Sequence, residues 1–483
     1  MNGMRKKLRF LCIGLVIIML AGCARTAGPG DTTAREAEKA YPISFIDDDG
    51  VQINLDAPAQ RIISLYSAHT ENLYALGAGD LVIGGHTTCV YPPEAVPLAT
   101  FDYTGDPEYV IAAEPDLVLI RPFIRRKAPN YIKELEKAGV LVVSLYPENY
   151  DDFSGYIMKL ALLTGTEEKA EQMLSDFYAD IEAIAELTST VADKQTVFFE
   201  STETNIRTVS ADSMAARAIT LAGGLNLAAG AEPMTEGSSI AEFGVEKVLQ
   251  HADDIDVYIS QRGAMNSGGN LISIGERAGY DTIKAVRNDR VYLINEKLIS
   301  SPTFRYYKGI CEVARFLYPE LMDDLSGYEN QEPATKTDFA NIVVRSLHLP
   351  AYVPSSSKYY QTKPRGHSYG MFEDVHWTDS DFDYIETAVY SGYVEWEKGA
   401  DGKEYFNPTA NLTRDELAKA IFVMGDFEAA KNHTSINDLK ACQKARIVQI
   451  LVDNGVFALN NGNFEPARLV TNQEILAAMQ FVK

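Results

Sequence analysis

Residues 167–191, EEKAEQMLSDFYADIEAIAELTSTV, contain neither glycine nor proline, and their apolar side chains fall at Ala170, Met173, Leu174, Phe177, Ile181, Ile184 and Leu187. Steps of three and four put these residues on one face of a helix. At 1.5 Å per residue the helix would run roughly 35 Å, about the diameter of a small domain and longer than a strand-to-strand crossover needs. Such a rod constrains the chain to two lobes joined by one helix. The flanking stretches agree, because each begins with an apolar strand-like run and later carries a Glu shortly before a second such run. RIISLYS (61–67) and PEYVIAAEPDLVLI (107–120) precede the rod; TVFFEST (196–202) and VEKVLQHADDIDVYIS (245–260) follow it.

Within the halves, strand-like and helix-like runs alternate. ENLYALGAGD reads as a helix whose Gly77 and Gly79 suit a C-cap, followed by LVIGG, PDLVLI, a helix near 131–138 and VLVVSLY (140–146). The second half repeats the theme with TVFFE, a helix near 215–222, DVYIS, RVYLI (290–294) and a closing helix over 307–317. The alternation predicts βαβ units and a parallel sheet in each half. The expected fold is α/β: two Rossmann-like lobes, 41–165 and 193–322, joined by a linking helix over 166–192. Two such lobes face each other across a cleft, where small ligands bind.

At the N-terminus Arg5, Lys6, Lys7 and Arg9 precede an apolar run over 11–20 that is short for a membrane span. The run ends in Leu20-Ala21-Gly22-Cys23, which resembles the bacterial lipobox, whose Cys is diacylated and becomes the first residue of the mature protein. The resemblance implies a signal peptide over 1–23, a lipid anchor on Cys23 that ties the protein to the membrane, a tether over 24–40, and an extracytoplasmic location for the rest.

The length of 483 residues suits two to four domains, and 46% hydrophobic with 23% charged residues is an ordinary globular composition. A net charge of -23 argues against nucleic acid as a partner, since phosphate binding needs a basic surface. Beyond Cys12 and Cys23, the cysteines Cys89, Cys311 and Cys442 lie far apart with no metal-ligand spacing. They read as buried thiols, with a Cys89 to Cys311 disulfide as the alternative in an exported chain. No histidine cluster suggests a bound metal, and no nucleophile elbow or acid/base pair suggests catalytic residues, so neither an enzyme nor a cofactor is expected. Gly268-Gly269 reads as a turn rather than a phosphate cradle.

The blocks PAQRIISLYSAHTENLYALGAGDLVIGG, VYPPEA, GDPEYVIAAEPDLVLI, AITLAGGLNLA, FGVEKVL, AVRNDRVYLI and SPTFRYYKGICEVARFLYPEL resemble, in order over about 280 residues, the substrate-binding proteins of ABC importers for ferric siderophores, haem and cobalamin. The resemblance implies a class III periplasmic-binding-protein fold, a metal chelate as ligand and an ABC permease dimer as partner. It also implies that one Glu on each lobe is received by permease arginines; the matching positions are Glu108 and Glu246. Cleft-lining residues are expected from the loops at the strand ends: Tyr66, His69, Thr88, Phe101, Tyr103, Arg121, Arg125, Arg262, Lys297 and Arg305. Aromatics offer flat contact area, and arginine offers bidentate or stacking contacts. Where cobalamin-type relatives place an aromatic after the PDLVLI-like strand, this chain has Arg121, which fits an anionic ferric siderophore or haem.

DDLSGYENQEP (323–333) reads as a linker, and 334–483 as an internal repeat. FNP (406–408) precedes Thr413-Arg414-Asp415-Glu416 and an apolar helix, FEP (464–466) precedes Thr471-Asn472-Gln473-Glu474 and another, and Thr335-Lys336-Thr337-Asp338 begins a partial copy. The Thr-to-acid spacing is a helix capping box. Together with FEDV (372–375) and DYIETAVYSGYV, the pattern resembles S-layer homology repeats, which implies a mainly α-helical module that holds cell-wall polysaccharide, with Arg414 as the polymer contact. Lys336 and Asn472 stand at the matching positions, and an insert over 350–370 interrupts the first repeat. A spacer or protein-docking module is the alternative for this region. For the whole chain it is a non-transport, wall-associated surface protein with a degenerate binding module.

Overall fold

The computed structural model describes residues 41–89, 91–95, 98–235, 238–263, 265–266, 271–351, 370–377 and 379–482. The expected signal peptide, Cys23 and the tether lie outside the described residues, as do Gly268, Gly269 and positions 352–369 of the insert.

Lobe 1 begins with an antiparallel hairpin, Ile43–Ile46 against Gln52–Leu55, which is too short to stand out in the sequence. Its turn is closed by the Asp47 carboxylate, which accepts from the backbone N–H of Asp49 and Val51 at 3.0 and 2.8 Å. A five-stranded parallel sheet follows, in the order Ala99–Phe101, Val82–His86, Ile62–Ser64, Leu117–Ile120, Leu141–Ser144. The edge strand Ala99–Phe101 was not anticipated. It can lie close because a Cβ on Gly84 would meet the Phe101 ring at 2.3 Å. Lobe 2 carries a four-stranded parallel sheet in the order Leu225–Asn226, Thr196–Glu200, Val257–Arg262, Val291–Asn295.

The helix Glu167–Ser189 joins them, bounded on its N-terminal side by helix Phe153–Thr164, whose cap Gly165 takes the left-handed conformation (φ 68°). Its buried residues are Ala170, Leu174, Phe177, Ile181, Ile184 and Thr188, in steps of four and three. Leu187, expected in this stripe, is instead 39% exposed. The step from Ile184 that keeps to the buried face is four, and it lands on Thr188. The stripe packs on helices Phe153–Thr164 and Tyr306–Leu317, and one apolar cluster runs from Ile62, Leu117 and Val143 of lobe 1 through Phe177 to Val197, Phe199 and Ile259 of lobe 2.

The C-terminal residues have a separate core. Helices Lys336–Ser346, Arg414–Met424 and Asn472–Met479 each start in a complete capping box, on Thr335, Thr413 and Thr471. The strands leading into them close a ring: Ala334 N–H donates to Val470 O (2.9 Å), Val470 N–H to Leu412 O (3.0 Å) and Leu412 N–H to Ala334 O (3.0 Å). Asp374 accepts from the N–H of Phe406 and Asn407, as Asp438 does from Phe464 and Glu465, so the second and third copies of the repeat are alike in hydrogen bonding as well as in sequence. The stretch read as a linker is not a free spacer: Asp323 is buried between Arg315 (2.8 Å) and His348 (2.8 Å), and Leu325 and Tyr328 pack on the C-terminal core.

Phe177 touches the rings of Phe153, Tyr178 and Phe304 at centroid distances of 5.0, 5.2 and 5.8 Å. Phe177→Ala is expected to lower unfolding free energy by about 3–5 kcal/mol in urea titrations. Leu187→Ala is expected to stay within about 0.5 kcal/mol of the parent.

Candidate functional site

The strands of both sheets end at the face where the lobes meet, and their loops supply the side chains there. Tyr66 and Ser67 follow the strand Ile62–Ser64 as helix Ser67–Ala75 begins, and Arg121 follows Leu117–Ile120. In lobe 2, Asn295 ends its strand and accepts from Lys297 N–H (2.8 Å), starting the short helix Glu296–Ile299.

Polar contacts cross between the lobes at this face. Lys297 Nζ donates to Ser67 Oγ (2.9 Å), Asn72 Nδ2 donates to Pro302 O (2.9 Å), and Arg305 grips Glu71 through Nε (2.6 Å) and a terminal nitrogen (2.7 Å). The Arg305 guanidinium also lies 3.6 Å from the centre of the Tyr91 ring. Burial pulls this guanidinium down, and Glu71 more than offsets the loss, so the guanidinium stays charged. Between them Ser67, Glu71, Thr88, Tyr91, Lys297 and Arg305 leave a cavity of only about 10 Å³. Ligand pockets run to several hundred Å³, so in this arrangement of the lobes the cavity is too small to hold one.

Two cations at this face have no carboxylate within ion-pair distance among the described residues. Arg121 lies between the rings of Tyr66 (4.8 Å) and Phe123 (4.9 Å), with Tyr146 beyond Tyr66. Lys297 is held below the usual lysine range by burial, partly countered by Glu296 and Glu71. Arg262, at the end of its strand, is exposed.

The structure brings together Tyr66, Thr88, Arg121, Lys297 and Arg305 of the expected lining, and it ties His69 and Arg125 to other partners. His69 is fully buried: its Nε2–H donates to Ile120 O (3.0 Å) and its Nδ1 accepts from Tyr156 OH (2.8 Å), so no ring nitrogen is left for a ligand. Arg125 is held on the flank of lobe 1 by Asp49 (3.0 Å) and Glu136 (2.8 Å). Phe101 lies over Gly84 inside the lobe, and Tyr103 stacks on His86 at 5.8 Å. Sequence reasoning missed Glu71, Tyr91 and Ser67. Glu71 carries the one available signal, a carboxylate in a helix whose neighbours are otherwise uncharged.

Glu108 and Glu246 occupy equivalent places, each the second residue of a six-residue helix, Pro107–Ala112 and Val245–Gln250. Both are exposed and, among the described residues, neither forms an ion pair. Tyr109, beside Glu108, is 73% exposed.

Arg414 does not face solvent as a polymer contact would. It is buried, donates to Phe464 O (3.0 Å) and Ala458 O (2.6 Å), and lies over the rings of Phe464 and Phe457. Lys336 likewise donates inward to Glu395 O and Phe406 O. A basic residue at this position of the repeat ties one copy to the next. A small groove of about 70 Å³, lined by Lys336, Tyr393, Glu395, Glu416 and Lys419 among others, lies between the first two copies.

Cys89, Cys311 and Cys442 are free thiols, so the disulfide alternative is not formed, and Cys311 is only half-buried. Among the described residues no group of His, Cys, Asp and Glu is placed to hold a metal ion, and no helix is long and apolar enough to cross a membrane.

Residues 62–298 match the family of periplasmic binding proteins. An uncharacterised ABC transporter substrate-binding lipoprotein of Bacillus subtilis (strain 168) is 26% identical over 64% of this chain and 96% of its own length. A vitamin B12-binding protein of Vibrio campbellii (strain ATCC BAA-1116) is 31% identical over 53% of this chain and 89% of its own. A possible iron-binding periplasmic solute-binding protein of Staphylococcus epidermidis superposes with a TM-score of 0.47 at 24% identity, covering 54% of this chain and 99% of that one. The chain belongs to the periplasmic binding protein family, and its N-terminal part has the class III fold, two α/β lobes on one helix. It is a substrate-binding protein, not an enzyme.

Burial pulls His69 to about 4, well below its ordinary 6.5. Between those values an unfolded chain takes up a proton that the folded chain refuses. Stability from this residue is therefore complete above about pH 6.5 and is lost as pH falls toward 4, by on the order of 1 kcal/mol per pH unit. Urea midpoints should fall between about pH 7 and pH 5, and His69→Gln should flatten that slope.

Proposed function

We propose that this protein is the extracytoplasmic, lipid-anchored substrate-binding component of an ABC importer, and that it captures an anionic metal chelate in the cleft between its lobes. The observation that carries this reading is the pair of cations without carboxylate partners, Arg121 and Lys297, beside the rings of Tyr66, Tyr91 and Tyr146. A flat, negatively charged ligand such as a ferric siderophore or a haem with its propionates matches both the charge and the aromatic faces. The vitamin B12-binding relative keeps a corrinoid as the third ligand class.

Delivery runs through Glu108 and Glu246, two exposed carboxylates on equivalent helices of a body whose lobes share one core. Carboxylates on separate lobes fix orientation on two basic pockets of a permease dimer and raise the association rate more than the affinity. Cys23 carries the anchor. The C-terminal module is an S-layer-homology-like unit, a reading supported by its three capped helices in a ring. Its polymer contact falls to groove residues such as Tyr393 and Lys419 rather than to Arg414.

Tyrosine and tryptophan fluorescence of the full-length chain, titrated with a ferric siderophore, haem and cyanocobalamin, should show binding at micromolar or lower concentration by one class. Arg121→Ala should weaken that binding about 10- to 100-fold, the loss of one charge-assisted contact. No binding by any class would favour the surface-protein reading. In cells, Glu108→Ala with Glu246→Ala should abolish uptake of the bound chelate with affinity retained; unchanged uptake would refute the docking role.

A further inference from the structure

His376, Trp377 and Asp383 of the C-terminal module between them touch both lobes. Trp377 Nε1–H donates to Glu94 Oε1 of lobe 1 (2.7 Å), and its ring meets Tyr91 edge-on with centroids 5.4 Å apart. The His376 ring stacks on Trp377 (5.5 Å) and its Nε2 lies 3.8 Å from the same Glu94 oxygen. Six positions along the chain, Asp383 accepts from Lys308 Nζ of lobe 2 (2.6 Å). The same lobe 2 helix, Tyr306–Leu317, is held from the module side a second time, where Glu312 Oε1 accepts from Ala351 N–H (2.7 Å) and Asp323 joins Arg315 to His348.

These contacts continue directly into the cleft. Tyr91, which Trp377 meets on its edge, carries the Arg305 guanidinium on its face, and Arg305 is the lobe 2 side of the buried pair with Glu71. Glu94 and Tyr91 of lobe 1 meet Trp377, Tyr91 meets Arg305 of lobe 2, and Arg305 pairs with Glu71 of lobe 1, with Asp383 and Lys308 tying the module to lobe 2 behind them. Parting the lobes moves Glu94 and Tyr91 away from Lys308 and Arg305. The module then has to release one lobe.

We infer that the C-terminal module is a working part of the binding site: it braces the two lobes across the mouth of the cleft, which makes Trp377 and Glu94 positioning residues for ligand capture. Contacts made only when the lobes are together shift the equilibrium toward that arrangement, by as much as they differ between the two states. The inference rests on the interlobe cleft being the ligand site, and it is independent of whether the module also holds wall polymer.

Hydrogen exchange of the full-length chain tests it without any ligand. The reporter is the segment 300–306 of lobe 2, which is covered by lobe 1 through Asn72 and Glu71. In Trp377→Phe, which removes the donor but keeps an aromatic ring, and in Glu94→Leu, which removes the acceptor, exchange over 300–306 should rise about tenfold, the loss of one charge-assisted hydrogen bond. Protection of the lobe 2 strand Val257–Arg262 should stay unchanged, which separates parting of the lobes from general destabilisation. Faster exchange confined to 91–95 and 376–382 in both variants overturns the brace. Because no chelate or permease enters the measurement, its failure is distinct from failure of the transport reading.

Discussion

The structure depends on the buried stripe of the helix Glu167–Ser189. Six positions, from Ala170 to Thr188, contribute to a core that is continuous with the cores of both sheets. Two lobes connected by extended strands can swing widely, since only a few backbone torsions resist. Here, a hinge at the helix has to slide Phe177 against Phe153 on one side and Phe304 on the other, and close-packed side chains resist such displacement. The lobes therefore move little relative to one another, and the contacts at their meeting face decide how far.

At that face electrostatics and shape act together. A buried ion pair recovers its desolvation only with good geometry, and Arg305 with Glu71 has it: two parallel hydrogen bonds and an aromatic ring beneath the guanidinium. Breaking the pair by parting the lobes exposes both charges to water, which softens the cost of opening compared with deleting one partner. Arg121 and Lys297 differ because, among the described residues, no carboxylate lies within ion-pair distance of either, although Glu296 and Glu71 partly offset the burial of Lys297. In the proposed reading, a ligand that brings negative charge supplies what the protein leaves out at these two side chains.

Much of the fold was legible because long periodic runs carry their own signal. The linking helix, the inner strands of both sheets and the three capped helices follow from spacing alone, since burial on one face imposes a period of 3.6 or 2. The hairpin Ile43–Ile46 with Gln52–Leu55 and the edge strand Ala99–Phe101 did not, because three or four residues are too few to establish a period. The site was less legible for a different reason. His69 lies close in sequence to the cleft residues Ser67 and Glu71, yet one turn of helix directs it into the core, where Tyr156 and Ile120 use both nitrogens. Arg125 was drawn away by Asp49, a residue 76 positions distant, and no local pattern encodes such a pairing.

The basic residues of the C-terminal repeat illustrate how one motif position can change its meaning with packing. Arg414 and Lys336 look like solvent-facing ligand contacts when the chain is read as a string, because each directly follows a capping threonine at a helix start. Folding into a ring brings the following copy of the repeat over that position, so the side chain meets carbonyl oxygens and phenylalanine rings instead of solvent. The charge is then spent on joining copies, and at the third position, Asn472, a neutral side chain meets Asn330 from the stretch that leads into the module. The ring thus closes through residues between lobe 2 and the first repeat, which makes the module an outgrowth of the binding protein's last helix rather than a bead on a string. That junction holds Trp377 and Asp383 where they reach one lobe each.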